Sequence, residues 1–222
     1  MRIFTDPRAY NTISEDVIVN LHSYLKRAKD NNFYIVVCGA HHGNEIGEFI
    51  SYYPNSTVDA FEAYPAHFNV LKNKYDNKIN VNCYNYAVSD VGGLLPFYEI
   101  SLAGSGSLLK FNESLDEKRI VDVRNVESVT LKNFLPKKSI DLLWVDVQGA
   151  ELNVLKGTDL SQAKSLFLEV ATKDSAVSYE NRCTLDDLQE YLKNTHFLHS
   201  IGLDNETNNG TGNSFWLSKE YE

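Results

Sequence analysis

The chain has 222 residues, of which 43% are hydrophobic and 23% are charged, and its formal net charge is −9. This length suits one domain with a full α/β core, and the acidic balance argues against nucleic acid as a partner. No apolar run approaches the ~20 residues of a membrane-spanning helix. The N-terminus lacks the apolar stretch of a signal peptide, and the three cysteines lie far apart without metal-ligand spacing, so we expect reduced thiols in a cytoplasmic protein.

The first half of the chain alternates between helix and strand patterns. Apolar residues that recur on one helical face predict a helix from Ile13 to Leu25. Three predicted strands then alternate with two helices: strands 33–38, 56–63 and 79–88, with helices 44–52 and 65–75 between them. The second of these helices opens on Pro65, which is tolerated in a first helical turn. This order predicts a parallel sheet with helices on both faces.

The second half is less regular. Segments 94–100 and 120–131 have strand composition, and the glycine- and serine-rich piece between them, 103–118, is predicted to be an exposed loop. Further elements follow in the order strand 140–147, helix 149–157, strand 164–170, helix 184–194 and strands 197–203 and 214–218, with Thr184 as a good N-cap. We predict one domain over 1–222, with an N-terminal helical segment (1–32), a core (33–170) and a C-terminal helix and hairpin (171–222).

Two strand ends near the start of the sheet suit a ligand, because ligands of doubly wound sheets bind beyond the carboxyl ends of the strands. The turn 39–43, GAHHG, lets the backbone approach a ligand, and the helix after it offers free N–H groups. It is equally compatible with a purely structural connection. Glu62 follows about 20 residues later, where an acid can accept hydrogen bonds from ribose hydroxyls or simply be solvated.

Two later strand ends add polar residues. Segment 87–90, AVSD, can frame an adenine ring, although any loop has a similar composition. Asp146 ends a strand and precedes Gln148, Gly149 and Glu151 at a helix start, where carboxylates are also ordinary capping residues.

Six motifs, taken in order, resemble those of the FkbM-type methyltransferases. They are VVCGAHHG, AFEAYP, YAVSD, GSGSL, IDLLWVDVQGAELNVLKG and LFLEV. The resemblance covers residues 33–170 and is most specific around Asp146. It implies a Rossmann-like class I methyltransferase domain, in which a mostly parallel seven-stranded α/β sheet carries helices on both faces and an antiparallel C-terminal strand. It also implies S-adenosylmethionine as cofactor and O-methylation of a hydroxyl on a sugar, a glycan or another small metabolite.

The resemblance further implies roles for individual residues. The cofactor would be bound by Gly39, Ala40, His41, Gly43, Glu62, Ala63, Ala87, Ser89, Asp90 and Asp146. Asp146 is the first candidate for the catalytic base. His42 is the second, because imidazole titrates near neutral pH, although a structural role is favoured for it, and Glu169 should face the same cleft. The acceptor would meet Ser105, Ser107, Gln148 and Glu151.

Four positions depart from the family pattern. Val37 replaces a frequent Asp, so one contact to the cofactor's amino group is either missing or supplied by another residue. His41 replaces the usual Asn, Trp144 a common Lys and Gln148 a common Glu. No metal ligand is predicted, metal dependence stays open, and the remaining histidines, His22, His67, His196 and His199, are assigned no chemistry.

Three alternatives remain. An RNA ribose 2′-O-methyltransferase is disfavoured by Trp144 in place of Lys and by the acidic charge. An NAD-dependent oxidoreductase fits the glycine turn and Glu62, but GAHHG lacks the Gly-x-Gly-x-x-Gly spacing. A nucleotide-binding domain without catalytic activity would account for the altered positions. The sequence indicates neither the oligomeric state nor the identity of the acceptor.

Overall fold

The computed structural model describes residues 15–26, 32–102, 104–113, 119–175, 179–203 and 210–221. Its helices are α1 (Glu15–Leu25), α2 (Asn44–Tyr52), α3 (Pro65–Tyr75), α4 (Leu131–Phe134), α5 (Glu151–Lys156) and α6 (Leu185–Leu192). Its strands are β1 (Tyr34–Cys38), β2 (Thr57–Phe61), β3 (Val81–Tyr84), β4 (Ala87–Val88), β5 (Gly93–Ile100), β6 (Ile120–Val129), β7 (Leu142–Val145), β8 (Ser165–Ala171), β9 (His196–Leu203) and β10 (Thr211–Ser218). Predictions for residues 13–14, 103, 114–118 and 204–209 lie outside the described residues.

Seven strands form one sheet in the order β3-β2-β1-β7-β8-β10-β9. Strands β3, β2, β1, β7 and β8 pair in parallel, and β10 runs antiparallel to both of its neighbours. This confirms the predicted α/β class, the seven-stranded sheet and the antiparallel C-terminal strand. The chain reverses its direction of travel across the sheet between β1 and β7, so their carboxyl ends flank the point where such sheets bind ligands.

Helices cover both faces of this sheet, as predicted. Side chains alternate along β1: Ile35 and Val37 pack among residues of α1, α2 and α3, whereas Val36 and Cys38 pack among residues of α4, α5 and α6. All four side chains are completely buried. Burial on both faces explains why β1 reads as a continuous apolar run rather than an alternating one. Each such side chain contributes about 1.5–3 kcal/mol to folding.

Helix starts follow the sequence signals. Pro65 is the first residue of α3. Thr184 caps α6: its Oγ1 accepts a hydrogen bond from the Asp187 amide at 3.4 Å, and the Asp187 carboxylate accepts one from the Thr184 amide at 2.8 Å. This reciprocal pair satisfies two amides that the helix leaves without an internal partner.

The region after α3 departs from the prediction. The prediction of a single third strand over 79–88 is wrong. Strand β3 belongs to the large sheet, whereas β4 belongs to a second sheet with the order β4-β6-β5. Asn85 lies at the break, and its Nδ2 donates to the carbonyls of Glu62 and Ala63 at 2.8 and 3.0 Å. These side-chain bonds hold the chain between the two sheets. The predicted strand 120–131 is also shorter than expected: β6 ends at Val129, and Leu131 begins the short helix α4.

The glycine- and serine-rich segment also differs from the prediction. Its described part, 104–113, is packed rather than exposed, with Ser107 and Phe111 each 1% accessible. The backbone of Ser107 pairs with Tyr98 of β5, and Phe111 pairs with Tyr179. The segment therefore lies against the second sheet. At the C-terminus, β10 begins at Thr211 rather than at the predicted Ser214.

Candidate active site

The site is built on the turn between β1 and α2. Gly39 has φ +83°, and a Cβ there would lie 1.7 Å from the carbonyl oxygen of Asp146, so a side chain at this position would collide with the end of β7. The amides of Gly39 and Ala40 both donate to the Phe61 carbonyl, at 3.0 and 2.9 Å. A Cβ on Gly43 would lie 2.6 Å from Leu71, which packs α3 against the turn. These contacts bring the ends of β1, β2 and β7 together.

Glu62 follows β2 and holds the turn in place. Its side chain is 6% exposed, and its two oxygens accept hydrogen bonds from the amides of His41 at 2.8 Å and Tyr64 at 2.7 Å. Burial raises the pKa of Glu62, and the two amides and the neighbouring His67 oppose that shift. Each carboxylate oxygen has a second lone pair, so Glu62 retains acceptor capacity for a ligand.

A cleft of about 530 Å³, its open mouth included, lies beyond these strand ends. Six of the predicted site residues line it together: Gly39, His41, Glu62, Ala63, Ala87 and Asp146. Other residues of the sequence motifs also line it: Phe61, Tyr86, Val88, Gly104, Gly106, Leu108 and Val147. Three further lining residues lie outside the motifs and were not singled out: His67, Phe97 and Glu99.

Ser89 and Asp90 connect β4 to the helix layer. Ser89 is 1% exposed, its amide donates to the Val129 carbonyl at 3.0 Å, and its hydroxyl donates to Asp90 Oδ1 at 3.1 Å. The same Asp90 oxygen accepts from Asn153 of α5 at 3.4 Å. These contacts tie the segment to α5, and the expected contact of both residues with an adenine edge stays a prediction.

Asp146 and Glu169 face each other across Gln148. The Gln148 Nε2 donates to Asp146 Oδ1 at 2.8 Å and to Glu169 Oε2 at 2.9 Å. Burial raises the pKa of Asp146, although hydrogen bonds from Gln148 and Glu169 oppose the shift. Burial, with the charges of Asp146 and Glu151, raises the pKa of Glu169 well above its usual range. Because adjacent buried carboxylates repel each other, a negative charge on one of these two side chains disfavours a negative charge on the other.

Glu151 closes the loop between β7 and α5. Its Oε1 accepts from the amides of Val147 at 3.2 Å and Gly149 at 3.0 Å, and its Oε2 accepts from the Cys183 thiol at 3.3 Å. Burial raises its pKa to about 7. Glu45, in the first turn of α2, was missed by the sequence reasoning: burial and then the charge of Asp146 raise its pKa to about 7 as well.

The two serines of the GSGSL motif lie beside this corner. The Ser107 hydroxyl donates to the Gln148 carbonyl at 2.9 Å and accepts from the Leu109 amide at 3.0 Å. The Ser105 carbonyl accepts a hydrogen bond from the Tyr179 hydroxyl, which also lies 3.3 Å from Gln148 Oε1. Ser107 therefore fastens the segment to Gln148, and the expected contact of either serine with an acceptor stays a prediction.

Trp144 packs in the core beneath the cleft. It is 3% exposed, stacks on Phe167 with a ring separation of 3.9 Å, and meets the edge of Phe49 at 5.6 Å. The apolar bulk that replaces the family's Lys thus fills the layer between the sheet and α2. Val37, which is another of the four residues that depart from the family pattern, is completely buried below the turn.

Three histidines meet at the mouth of the cleft. The rings of His41 and His42 stack at 3.8 Å, and His42 Nε2 lies 3.2 Å from His67 Nδ1. His67 Nε2 lies 3.0 Å from Glu99 Oε1. Burial lowers the pKa of His41 to about 4 and also lowers that of His42, whereas the bond to Glu99 raises that of His67. His67, to which the sequence assigned no chemistry, lines the cleft because the first turn of α3 lies directly beside the glycine turn.

The sheet order, the antiparallel β10 and the cleft at the switch point define a class I methyltransferase fold. The sequence profile of the Methyltransferase FkbM domain matches residues 38–196. The chain therefore belongs to the FkbM methyltransferase family and is an S-adenosylmethionine-dependent methyltransferase. Within the described residues, no helix has the length and apolar character needed to cross a membrane.

Individual relatives agree with this assignment. The chain is 25% identical over 171 residues to the 2-O-methyltransferase NoeI of Sinorhizobium fredii, covering 71% of this chain and 70% of that protein. It is 31% identical over 173 residues to the methyltransferase sdnD of Sordaria araneosa, covering 62% and 65%. A crystal structure of methyltransferase FkbM from Methylobacillus flagellatus KT superposes with a TM-score of 0.60 at 13% identity, over 96% of this chain. This chain spans half the length of that protein.

Proposed function

We propose that this methyltransferase transfers a methyl group to a hydroxyl oxygen of a sugar, a glycan or another small metabolite. The observation that carries the proposal is the carboxyl group of Asp146, which lies at the end of β7, lines the cleft and is oriented by Gln148. A carboxylate in that place can take the proton that a hydroxyl must lose when its oxygen is methylated. The similarity to NoeI, a 2-O-methyltransferase, also favours oxygen as the acceptor atom.

The cofactor is proposed to lie along the ends of β1, β2 and β4. The turn of Gly39, Ala40, His41 and Gly43 would wrap its methionine end, and Glu62, beside Ala63, would accept hydrogen bonds from its ribose hydroxyls. Support for the ribose role comes from Glu62 itself, which is fixed by two backbone amides and faces the cleft with acceptor capacity left over. Tyr86 and Ala87 line the same wall and would flank the adenine ring.

Glu45 is proposed to replace the acid that the family often carries at the position of Val37. Val37 cannot contact an ammonium group, because it is completely buried and apolar. Glu45 lies in the first turn of α2, which follows the glycine turn directly, and the charge of Asp146 contributes to raising its pKa. An ammonium group nearby would favour the ionised form of Glu45 and so bind to it.

S-adenosylmethionine, when bound, supplies an activated methyl group. The residues of the chain must then align the acceptor oxygen with that group, which can lower the barrier by ~7–11 kcal/mol in favourable cases. Asp146 takes the proton of the acceptor hydroxyl, an effect typically worth ~10²–10⁴-fold in rate. Gln148 holds the Asp146 carboxylate in place, and the raised pKa of Glu169 favours its neutral form, which would keep a second negative charge away from Asp146.

His42 is a weaker candidate for this base. Its Nε2 lies 3.2 Å from His67 Nδ1, so the ring nitrogen that reaches furthest is already engaged by another imidazole. Asp146, in contrast, lines the cleft directly beside the glycine turn. We therefore assign proton removal to Asp146 and a positioning role to His42.

We further propose one domain over 1–222, with residues 33–170 as its cofactor-binding core. The cysteines Cys38, Cys83 and Cys183 are free thiols, which supports a cytoplasmic location. A carbohydrate acceptor is favoured over RNA because the net charge is −9 and because the aromatic ring of Phe97 lines the cleft and can stack on a sugar ring.

The test is radiolabelled methyl transfer onto a panel of glycans, nucleoside sugars and small hydroxylated metabolites, with RNA as a comparison acceptor. Asp146→Asn is expected to lower kcat by ~10²–10⁴-fold while the Kd of S-adenosylhomocysteine changes by only a few fold. Asp174→Asn, which removes an exposed carboxylate, serves as the matched control and should keep full activity. Full activity in Asp146→Asn would remove Asp146 as the base. Label on RNA alone would overturn the proposed substrate class.

A further inference from the structure

Three imidazoles from two separate elements converge at the mouth of the cleft. One ligand nitrogen from each of His41, His42 and His67 lies within 4.8 Å of the other two. His41 and His42 belong to the turn after β1, whereas His67 lies in the first turn of α3 and is 25 residues away from His42 in the sequence. The fold, rather than the local sequence, brings them together.

One pair of these nitrogens already has the spacing of metal ligands. His42 Nε2 and His67 Nδ1 are 3.2 Å apart. Zinc bound by imidazole nitrogens at about 2.0–2.1 Å in a tetrahedron places two such nitrogens about 3.3 Å apart. The third nitrogen, from His41, would reach the same distance through a rotation of its ring away from the stack with His42.

A carboxylate is hydrogen-bonded to the other ring nitrogen of His67. Glu99 Oε1 lies 3.0 Å from His67 Nε2, and the Glu99 side chain is 7% exposed. This bond places the proton of His67 on Nε2 and leaves Nδ1 free to bind a metal, the carboxylate–histidine arrangement that commonly orients metal ligands. Among the described residues, His41 Nε2 and Glu99 Oε2 are buried and make no hydrogen bond. Buried polar atoms without partners are costly, which points to an occupant that the protein atoms do not supply.

We propose that His41, His42 and His67 bind one divalent transition-metal ion, with Zn²⁺ as the best fit, and that Glu99 orients His67 from behind. Imidazole ligands select zinc, copper, nickel or iron rather than magnesium or calcium. Three protein ligands leave the fourth tetrahedral position for water. The ion would fasten the turn after β1 to α3, on the wall of the cleft that carries His41 and Glu62. The metal site shares His41 with the turn proposed to bind the cofactor, but metal binding does not depend on methyl transfer and is measured without it.

The competing explanation is a trio of neutral imidazoles that bond only to each other and to Glu99. In that case the 3.2 Å contact is an ordinary hydrogen bond from His42 to His67. The two explanations differ in saturable metal binding, which the hydrogen-bonded trio does not predict.

The experiment uses untagged, full-length protein stripped of metal with a chelator. Co²⁺ is titrated while visible absorption is recorded, because tetrahedral Co²⁺ absorbs far more strongly than the hexaaqua ion, and Zn²⁺ is then added to displace it. We expect one saturable site per chain with a tetrahedral spectrum that Zn²⁺ abolishes. Glu99→Gln should weaken the binding ~10–100-fold, and His67→Gln should weaken it further.

His199→Gln is the matched control, because it removes an exposed imidazole from β9, outside the cluster. It should bind Co²⁺ as the wild type does. His42→Gln gives a second removal of a ligand should His67→Gln fail to fold, and circular dichroism reports the folding of each variant. Absence of a saturable tetrahedral spectrum in the wild type would overturn the proposal, as would undiminished binding in folded His42→Gln. Binding of S-adenosylhomocysteine to the stripped protein is measured separately, so a failed metal site leaves the proposed methyl transfer intact.

Discussion

Replacement of Glu62 by glutamine tests how the cleft holds the cofactor. In the structure each carboxylate oxygen accepts one backbone amide, from His41 at 2.8 Å and from Tyr64 at 2.7 Å. Glutamine is nearly the same size but replaces one of these oxygens with an NH₂ group. One amide of the protein then faces a donor, and one ribose hydroxyl of the bound cofactor loses a charged acceptor.

The expected loss of affinity follows from the hydrogen bonds that Glu62→Gln removes. A hydrogen bond to a charged group contributes about 1.5–3 kcal/mol, which corresponds to roughly 10- to 150-fold in the Kd of S-adenosylhomocysteine. The amide left facing a donor costs about 1–3 kcal/mol of folding stability in addition. The turnover rate at saturating cofactor should change much less, because Glu62 is not assigned a part in proton transfer.

Isothermal titration with S-adenosylhomocysteine measures the affinity, and urea unfolding without ligand measures the stability. Glu127→Gln, which removes an exposed carboxylate from β6, is the matched control and should match the wild type in both measurements. An unchanged Kd in folded Glu62→Gln would refute the assignment of Glu62 to the ribose.

Two further predictions concern the turn and the pH dependence of stability. Gly39→Ala should destabilise the fold by about 3 kcal/mol or more in urea unfolding, because its Cβ would lie 1.7 Å from the Asp146 carbonyl oxygen at φ +83°; a loss below 1 kcal/mol would contradict the tight junction of β1 and β7. His22 is 2% exposed, and burial, followed by the charge of Lys26, lowers its pKa to about 4. Because the unfolded chain takes up that proton first, near pH 6.5, His22 should contribute roughly 2–3 kcal/mol that is fully present above pH 6.5 and lost as the pH falls toward 4. The fall in stability between pH 7 and pH 4.5 should therefore shrink in His22→Gln, and an equal fall in both proteins would contradict this.

Much of the fold could be predicted from the sequence because its signals are local. The apolar run of β1, the proline that opens α3 and the Thr184 cap each act within a few residues. The glycine turn and the strand-end acids are also visible in the local sequence. Because parallel strands bring their carboxyl ends to one edge of the sheet, these residues could be predicted to lie together. The sequence therefore predicts that Gly39, Glu62 and Asp146 share one cleft, and all three line it.

The errors arise where tertiary contacts decide. Asn85 divides the predicted third strand through hydrogen bonds to Glu62 and Ala63, which lie in a neighbouring element. The segment 104–113 has the composition of an exposed loop, yet Ser107 is buried because its hydroxyl bonds to the Gln148 carbonyl, 41 residues away. The meeting of His67 with His42 depends on the packing of α3 beside the turn, and no local pattern indicates it.

A crystal structure of the protein with S-adenosylhomocysteine is the most direct test of the central claim. The account predicts the ribose hydroxyls within about 3.2 Å of the Glu62 carboxylate, the homocysteine portion against the turn of Gly39 to Gly43, and the sulfur directed toward Asp146. A ligand bound elsewhere, or one whose ribose makes no contact with Glu62, would contradict it.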